Sequence, residues 1–149
     1  MSSNYAHFLK HPVFKVVSKY ATENNIQAFV IGGYVRDLFL ERNSKDIDIV
    51  IVGDGPSFAQ AIASIMRIKK ISIFKNYGTA HFKYKDLDIE FVGARKESYQ
   101  EDSRNPSTSE GTIQDDQLRR DFTINALALD LNAERYGALV DPFEGMKDL

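Results

Sequence analysis

Between Asn4 and Asn24 the apolar positions Phe8, Val13, Val16, Val17 and Tyr20 recur at helical spacing, which predicts a helix with Pro12 early in it. Ile26–Ile31 is a continuous apolar run that reads as a short strand closed by Gly32-Gly33, and Tyr34–Leu40 reads as a helix that starts on those glycines. Asp46–Val52 alternates acid and isoleucine, the period of a strand. Gly53-Asp54-Gly55-Pro56 marks a turn, after which Ser57 is placed to cap a helix running to about Met66. Ile71–Phe74, Thr79–Tyr84 and Leu87–Val92 predict three further strands. Lys96–Asp116 is polar, without an apolar period, and predicts a long loop; Gln117–Leu127 predicts a helix, and Asp141-Pro142-Phe143 opens a closing loop. The order predicts a small α/β (α+β) domain with a mixed sheet and helices mainly on one face. No internal repeat or domain boundary interrupts its 149 residues, a length that suits one domain.

Composition narrows the function without naming it. The chain is 43% hydrophobic and 27% charged, ordinary for a globular domain. Without cysteine it can form neither a disulfide framework nor a zinc–thiolate site. No apolar run approaches the roughly 18 residues of a membrane span, and Met-Ser-Ser-Asn-Tyr-Ala-His lacks the basic-then-apolar pattern of a signal peptide. A cytoplasmic address with no membrane partner is therefore expected. The net charge of −2 excludes a surface that is basic throughout, so an RNA partner would have to meet a local patch or a part of the protein outside this sequence.

Candidate chemistry begins with Ser44-Lys45-Asp46-Ile47-Asp48-Ile49-Val50. In a strand Asp46 and Asp48 share a face, about 6.6 Å apart at Cα, while Ile47, Ile49 and Ile51 anchor the other face. Two carboxylates on one face repel, and a hard cation relieves the repulsion. Mg²⁺ prefers oxygen ligands, commonly one or two carboxylates plus substrate phosphates. An isolated Asp-x-Asp is more often a solvated strand face. In Asp86-Leu87-Asp88-Ile89-Glu90, the acids Asp86, Asp88 and Glu90 alternate on one face, and any of the three would complete a metal site if this strand lay beside the first.

Ile31-Gly32-Gly33-Tyr34-Val35-Arg36-Asp37 sets paired glycines between a strand and a helix. There the backbone can approach a ligand closely, free N–H groups favour phosphate oxygens, and Arg36 lies one turn along to meet a triphosphate. The pattern is neither a Walker A loop nor a dinucleotide fingerprint, and a bare Gly-Gly turn is commonly just a tight connection. His7 and His11 have metal-ligand spacing, but no Glu follows His7 and no third ligand is evident, so a surface or packing role is expected for them, and a structural one for His81.

Gly32-Gly33-Tyr34-Val35-Arg36-Asp37 followed by Lys45-Asp46-Ile47-Asp48 resembles the class II CCA-adding enzyme and bacterial poly(A) polymerase family. Leu118-Arg119-Arg120-Asp121-Phe122-Thr123-Ile124-Asn125-Ala126 is similar to that family's Arg-Arg-Asp-Phe-Thr-Ile-Asn-Ala signature, and Asp141–Leu149 looks like its next element. The resemblance covers about residues 26–149. It implies a DNA polymerase beta-like palm with two metal ions, Mg²⁺ being the expected cofactor. It implies Asp46 and Asp48 as metal ligands and Glu90 as the third catalytic carboxylate, able also to assist as a base. It further implies nucleotide-binding roles for Gly32, Gly33, Arg36 and Arg120, with Asp121 and Asn125 either orienting the sugar, holding Arg120, or capping and packing.

The implied reaction transfers AMP or CMP from ATP or CTP to an RNA 3′ end, that of a tRNA above all, with release of pyrophosphate. The family's Glu-Asp-x-x-Arg-x-x-Arg motif, which reads the incoming base, would follow Leu149, and the helical body and tail that grip tRNA are absent as well. The expectation is a single head domain, residues 1–149, cut from a longer enzyme. CCA addition and poly(A) addition are not distinguished by this head. A reading of a different class, a nucleotide-binding module without catalysis, is opposed by the intact trio Asp46, Asp48 and Glu90. The Lys96–Asp116 loop, with Arg95, Lys96 and Arg104 near its start, is either a cover for primer or nucleotide or a surface connection.

Overall fold

A computed structural model describes residues 4–98, 107–118, 120 and 123–149. The first regular helix, α1, is Pro12–Glu23, and a short 3-10 turn at Ala6–Phe8 precedes it. Pro12 is therefore not inside a longer helix but opens this one, where its missing N–H costs nothing. Strand β1 (Ala28–Ile31) leads through Gly32 into α2 (Gly33–Phe39), and β2 (Asp46–Ile51) follows. Helix α3 (Gly55–Ile65) is capped by Asp54 rather than Ser57: the Asp54 carboxylate accepts the Ser57 N–H at 3.2 Å and the Ser57 hydroxyl at 2.8 Å. Gly55-Pro56 occupy the first turn, which moves the cap three residues earlier than Ser57 suggested.

Strands β3 (Ile71–Phe74), β4 (Thr79–Tyr84) and β5 (Leu87–Gly93) lie where the sequence placed them. The segment predicted as one loop is different. It contains β6 (Arg95–Ser98) and β7 (Ser107–Glu110), which pair antiparallel, and then α4 (Ile113–Leu118). Helix α4 begins on a reciprocal pair: Asp115 accepts the Thr112 N–H at 2.9 Å and Thr112 Oγ1 accepts the Asp115 N–H at 3.2 Å. The helix predicted over Gln117–Leu127 is not found. Described residues give α4 ending at Leu118, a 3-10 turn at Thr123–Asn125, and strand β8 (Ala128–Asp130), followed by β9 (Leu139–Val140). Ala126–Leu131 is buried throughout, and a fully buried strand carries no alternation to distinguish it from a helix.

Among the described residues seven strands form one mixed sheet in the order β3-β4-β5-β2-β1-β8-β9. Only the β2–β5 pair in it is parallel. Helices α1 and α3 cover one face, where Phe14, Val17, Phe58 and Ile62 pack on Ile47, Ile49, Ile89 and Phe91. The opposite face carries a smaller apolar group, Phe29, Ile31, Val50 and Ala128, covered by Ile113 of α4. The helices thus lie mainly on one face, as expected, with α4 the exception. No helix among the described residues is long and apolar enough to cross a membrane.

Phe91 is fully buried, with its ring 5.5 Å from that of Phe82 and 5.9 Å from that of Phe58. Phe91→Ala should lower the free energy of unfolding by about 3–5 kcal/mol in a urea titration.

Candidate active site

The alternation of β2 works as the sequence implies: Ile47, Ile49 and Ile51 are fully buried, Asp46 is exposed and Asp48 half-buried. The register with β5 then chooses among the acids that spacing alone left open. Asp48 stands opposite Glu90, and Asp46 opposite Asp88. Asp86 falls outside β5 and forms an exposed ion pair with Lys45 at 3.3 Å. Asp88 is already engaged, with His81 Nε2 at 3.2 Å and Lys83 Nζ at 3.9 Å. Glu90 is the acid of this strand that faces Asp48, and no ion pair among the described residues engages it.

Next to Asp48 the chain turns at Gly32, whose φ of +85° favours glycine. A methyl group there would sit 3.4 Å from Arg120 Nη1 and 3.5 Å from Asp48 Oδ2, so three segments distant in sequence converge on this one Cα. Arg36 folds back over Gly33, where an added methyl would meet its Nη2 at 3.2 Å. The Arg36 guanidinium is held by Asp37 Oδ1 at 3.1 Å and by Asn125 Oδ1 at 3.1 Å. Asn125 thus holds Arg36. Tyr34 between them is a packing residue: its ring lies 5.7 Å from that of Phe14, and burial pushes its hydroxyl up to about 12.

Arg120 is fixed by Asp116, a side chain with no solvent exposure, through Nε and Nη2, each 3.2 Å from Oδ2. Gln117 beside it donates to the carbonyls of Ala126 at 2.7 Å and Val140 at 3.0 Å, tying α4 to the segment leading into β8 and to β9. The closing element also has a task. The Asp141 carboxylate accepts the N–H groups of Gly145 (2.6 Å) and Met146 (3.0 Å), and the turn so formed reaches Thr123 through a hydrogen bond to Asp148. That contact braces the Thr123–Asn125 turn that carries Asn125.

Asp48, Glu90, Arg36, Arg120, Asn125 and the Gly32-Gly33 turn therefore occupy one neighbourhood, with Asp46 at its edge. Asp121 lies outside the described residues. His7 and His11 make ring contacts with Phe8 and with Phe14 and Tyr34, and His81 pairs with Asp88. Sequence reasoning missed Asp116 because it stood at the end of an apparent loop; the Thr112–Asp115 capping pattern was the available signal that a helix begins there.

A profile described as the poly A polymerase head domain matches residues 28–149. The chain belongs to this family. It is 38% identical over 124 residues to the A-adding tRNA nucleotidyltransferase of Aquifex aeolicus, covering 83% of this chain and 15% of that protein. It is 36% identical over 138 residues to the A-adding tRNA nucleotidyltransferase of Halalkalibacterium halodurans, covering 92% and 32%. Among solved structures, a CCA-adding enzyme without ligand superposes with a TM-score of 0.85 at 35% identity, over 99% of this chain and 37% of that one. A tRNA nucleotidyltransferase complexed with a primer tRNA and an incoming ATP analog gives 0.77 at 36% identity, over 89% and 36%. The DNA polymerase beta-like palm implied by the head-domain motifs is the fold of this family member. The chain spans 15% and 32% of the length of the two curated relatives.

The acids at this site carry an electrostatic cost. Burial, then Glu90, raise the Asp48 carboxyl above its ordinary value; Arg120 opposes them, and Asp46 and Asp116 add to the rise. A carboxyl raised by folding contributes stability below its unfolded pKa and loses it as pH rises through the folded value. Asp48→Asn should therefore melt a few degrees above the parent at pH 7 in chelator-treated buffer, the difference vanishing in acid. Asp116→Ala acts the other way, because it strands the Arg120 guanidinium: about 3 kcal/mol should be lost in urea unfolding at pH 7.

Proposed function

We propose that this head transfers a nucleotide from ATP or CTP to the 3′-hydroxyl of an RNA, with release of pyrophosphate. The observation that carries the reading is the register that sets Asp48 against Glu90 directly beside Gly32, Arg120 and, one turn on, Arg36. Such a site offers acids at one end and fixed guanidinium groups with a glycine turn at the other, which suits a triphosphate whose reacting end is bound to cations. The tRNA relatives named above favour a tRNA end over a poly(A) tail as acceptor.

Asp46, Asp48 and Glu90 would hold the divalent ions, and Mg²⁺ fits the donor set. All the donors are hard carboxylate oxygens, and Asp48 is a half-buried acid destabilised by Glu90 and Asp46, a repulsion a cation relieves. Bound there, the ions supply Lewis-acid activation of the hydroxyl and charge neutralisation of the leaving group.

The chain's own residues act around that chemistry. Glu90 accepts the proton of the 3′-hydroxyl as its oxygen bonds to the α-phosphorus, and the bond from that phosphorus to the bridging oxygen breaks. Arg36 and Arg120 meet the negative charge that gathers on pyrophosphate. Because Asp37, Asn125 and Asp116 hold these two guanidinium groups in place beforehand, little reorganisation is needed when the charge arrives. Asp121 takes part in sugar or arginine positioning in this reading. A cytoplasmic address belongs to the same proposal.

Asp48→Ala should keep the fold and lower transfer of labelled ATP or CTP to a tRNA lacking its 3′ end by on the order of 10³-fold or more. Parent-level transfer by a folded Asp48→Ala protein would sink the proposal.

A further inference from the structure

Residues 55–85 contain six lysines and arginines and no aspartate or glutamate, in a chain whose net charge is −2. Arg67, Lys69, Lys70, Lys75, Lys83 and Lys85 are all exposed. The fold collects them on the β3–β4 edge of the sheet, beside the strand that carries Glu90. Cross-strand register runs Asp48, Glu90, His81, Ser72, so these four side chains share one face in a single row. Two strand spacings, about 10 Å, separate Glu90 from Ser72. Lys69, Lys70, Ser72, His81 and Lys83 line a shallow cleft of about 500 Å³ on this edge. Phe74, two residues beyond Ser72 and so on the same face, is 50% exposed.

The direction in which this face is open matters. On the β1 side of Asp48 it is closed by Arg120 over Gly32 and by Ile113 over Ile31, Val50 and Ala128. On the β4–β3 side Lys83, Ser72 and Phe74 are exposed, and the described residues leave the face uncovered. An acceptor strand whose terminal hydroxyl reaches Asp48 and Glu90 has this way to leave. Along it are exposed cations for phosphates and an exposed aromatic ring for a base, the two requirements for binding single-stranded nucleic acid without reading its sequence.

We propose that the β3–β4 edge is the docking strip for the single-stranded 3′ segment of the RNA acceptor, with phosphates on Lys69, Lys70 and Lys83 and a base stacked on Phe74. The inference rests on the nucleotidyltransferase reading for its occupant, but its binding test does not need turnover.

The test measures fluorescence anisotropy of a 5′-labelled single-stranded oligoribonucleotide on the 149-residue chain across a salt series, with labelled ATP and Mg²⁺ titrated in parallel. In Lys69→Ala/Lys70→Ala/Lys83→Ala the slope of log affinity against log salt should fall by about 2, from about 0.7 for each lost phosphate contact. Phe74→Ala should weaken RNA binding about tenfold with the slope unchanged. ATP binding should be unaltered in both, and thermal melts establish that both are folded. A folded triple variant with the parent's RNA affinity and slope overturns the strip, as does a parent chain that binds ATP but no RNA. Loss of RNA binding in the triple variant of a parent that fails to bind ATP supports the strip and removes the nucleotidyltransferase reading instead.

Discussion

Two strands some forty residues apart, each with acids on one face and apolar side chains on the other, lie parallel and in register at the centre of the sheet. The isoleucine faces drive the pairing, since Ile47, Ile49 and Ile89 bury completely under α1 and α3. The acid faces are its by-product: once the apolar rows align, Asp48 must stand against Glu90, and a one-residue slip would turn every one of these side chains over. The site's charge repulsion is thus imposed by burial on the far side of the same two strands. A hydrophobic core holds the acids where they would not choose to be.

The rest of the site is arranged to tolerate and use that repulsion. Arg120 opposes it electrostatically, and because Asp116 grips Arg120 from a fully buried position, the guanidinium cannot simply collapse onto Asp48. Arg36 is restrained in the same manner by Asp37 and Asn125. Each arginine spends part of its charge on a neighbour and keeps the remainder directed at the Gly32-Gly33 turn. Asn125 in turn depends on Asp141, through the Gly145–Asp148 turn and Thr123, so a loop at the far end of the sequence helps to aim a residue near its start.

Charge is also divided by strand. The acids lie on β2 and β5, and Lys83 of β4 with Lys69, Lys70 and Lys75 flanking β3 lie at the adjoining edge. His81 and Lys83 bridge the two regions through Asp88. An exposed row of lysines and an outward phenylalanine also suits an edge strand, since charge there discourages pairing with another sheet. A chain with net negative charge can in this way present a basic strip beside an acidic centre.

The sequence by itself determined the strands with alternating faces, the glycine turn, and the membership of Asp46, Asp48, Arg36 and Arg120 in one family's set of motifs. These are local properties: a period of two, a pair of glycines and a run of signature residues can be read without knowing what lies opposite. It did not determine which acid of Asp86, Asp88 and Glu90 faces Asp48 by spacing, because three acids on one face are equivalent until a register exists. It misassigned Gln117–Leu127, because a strand buried on both faces loses the alternation that would have revealed it. Asp116, the hold on Arg120, and Asn125, the hold on Arg36, were decided only by tertiary structure. Their roles are contacts between segments that nothing in the linear pattern obliges to meet, made when packing of α4 and β8 brings them beside the glycine turn.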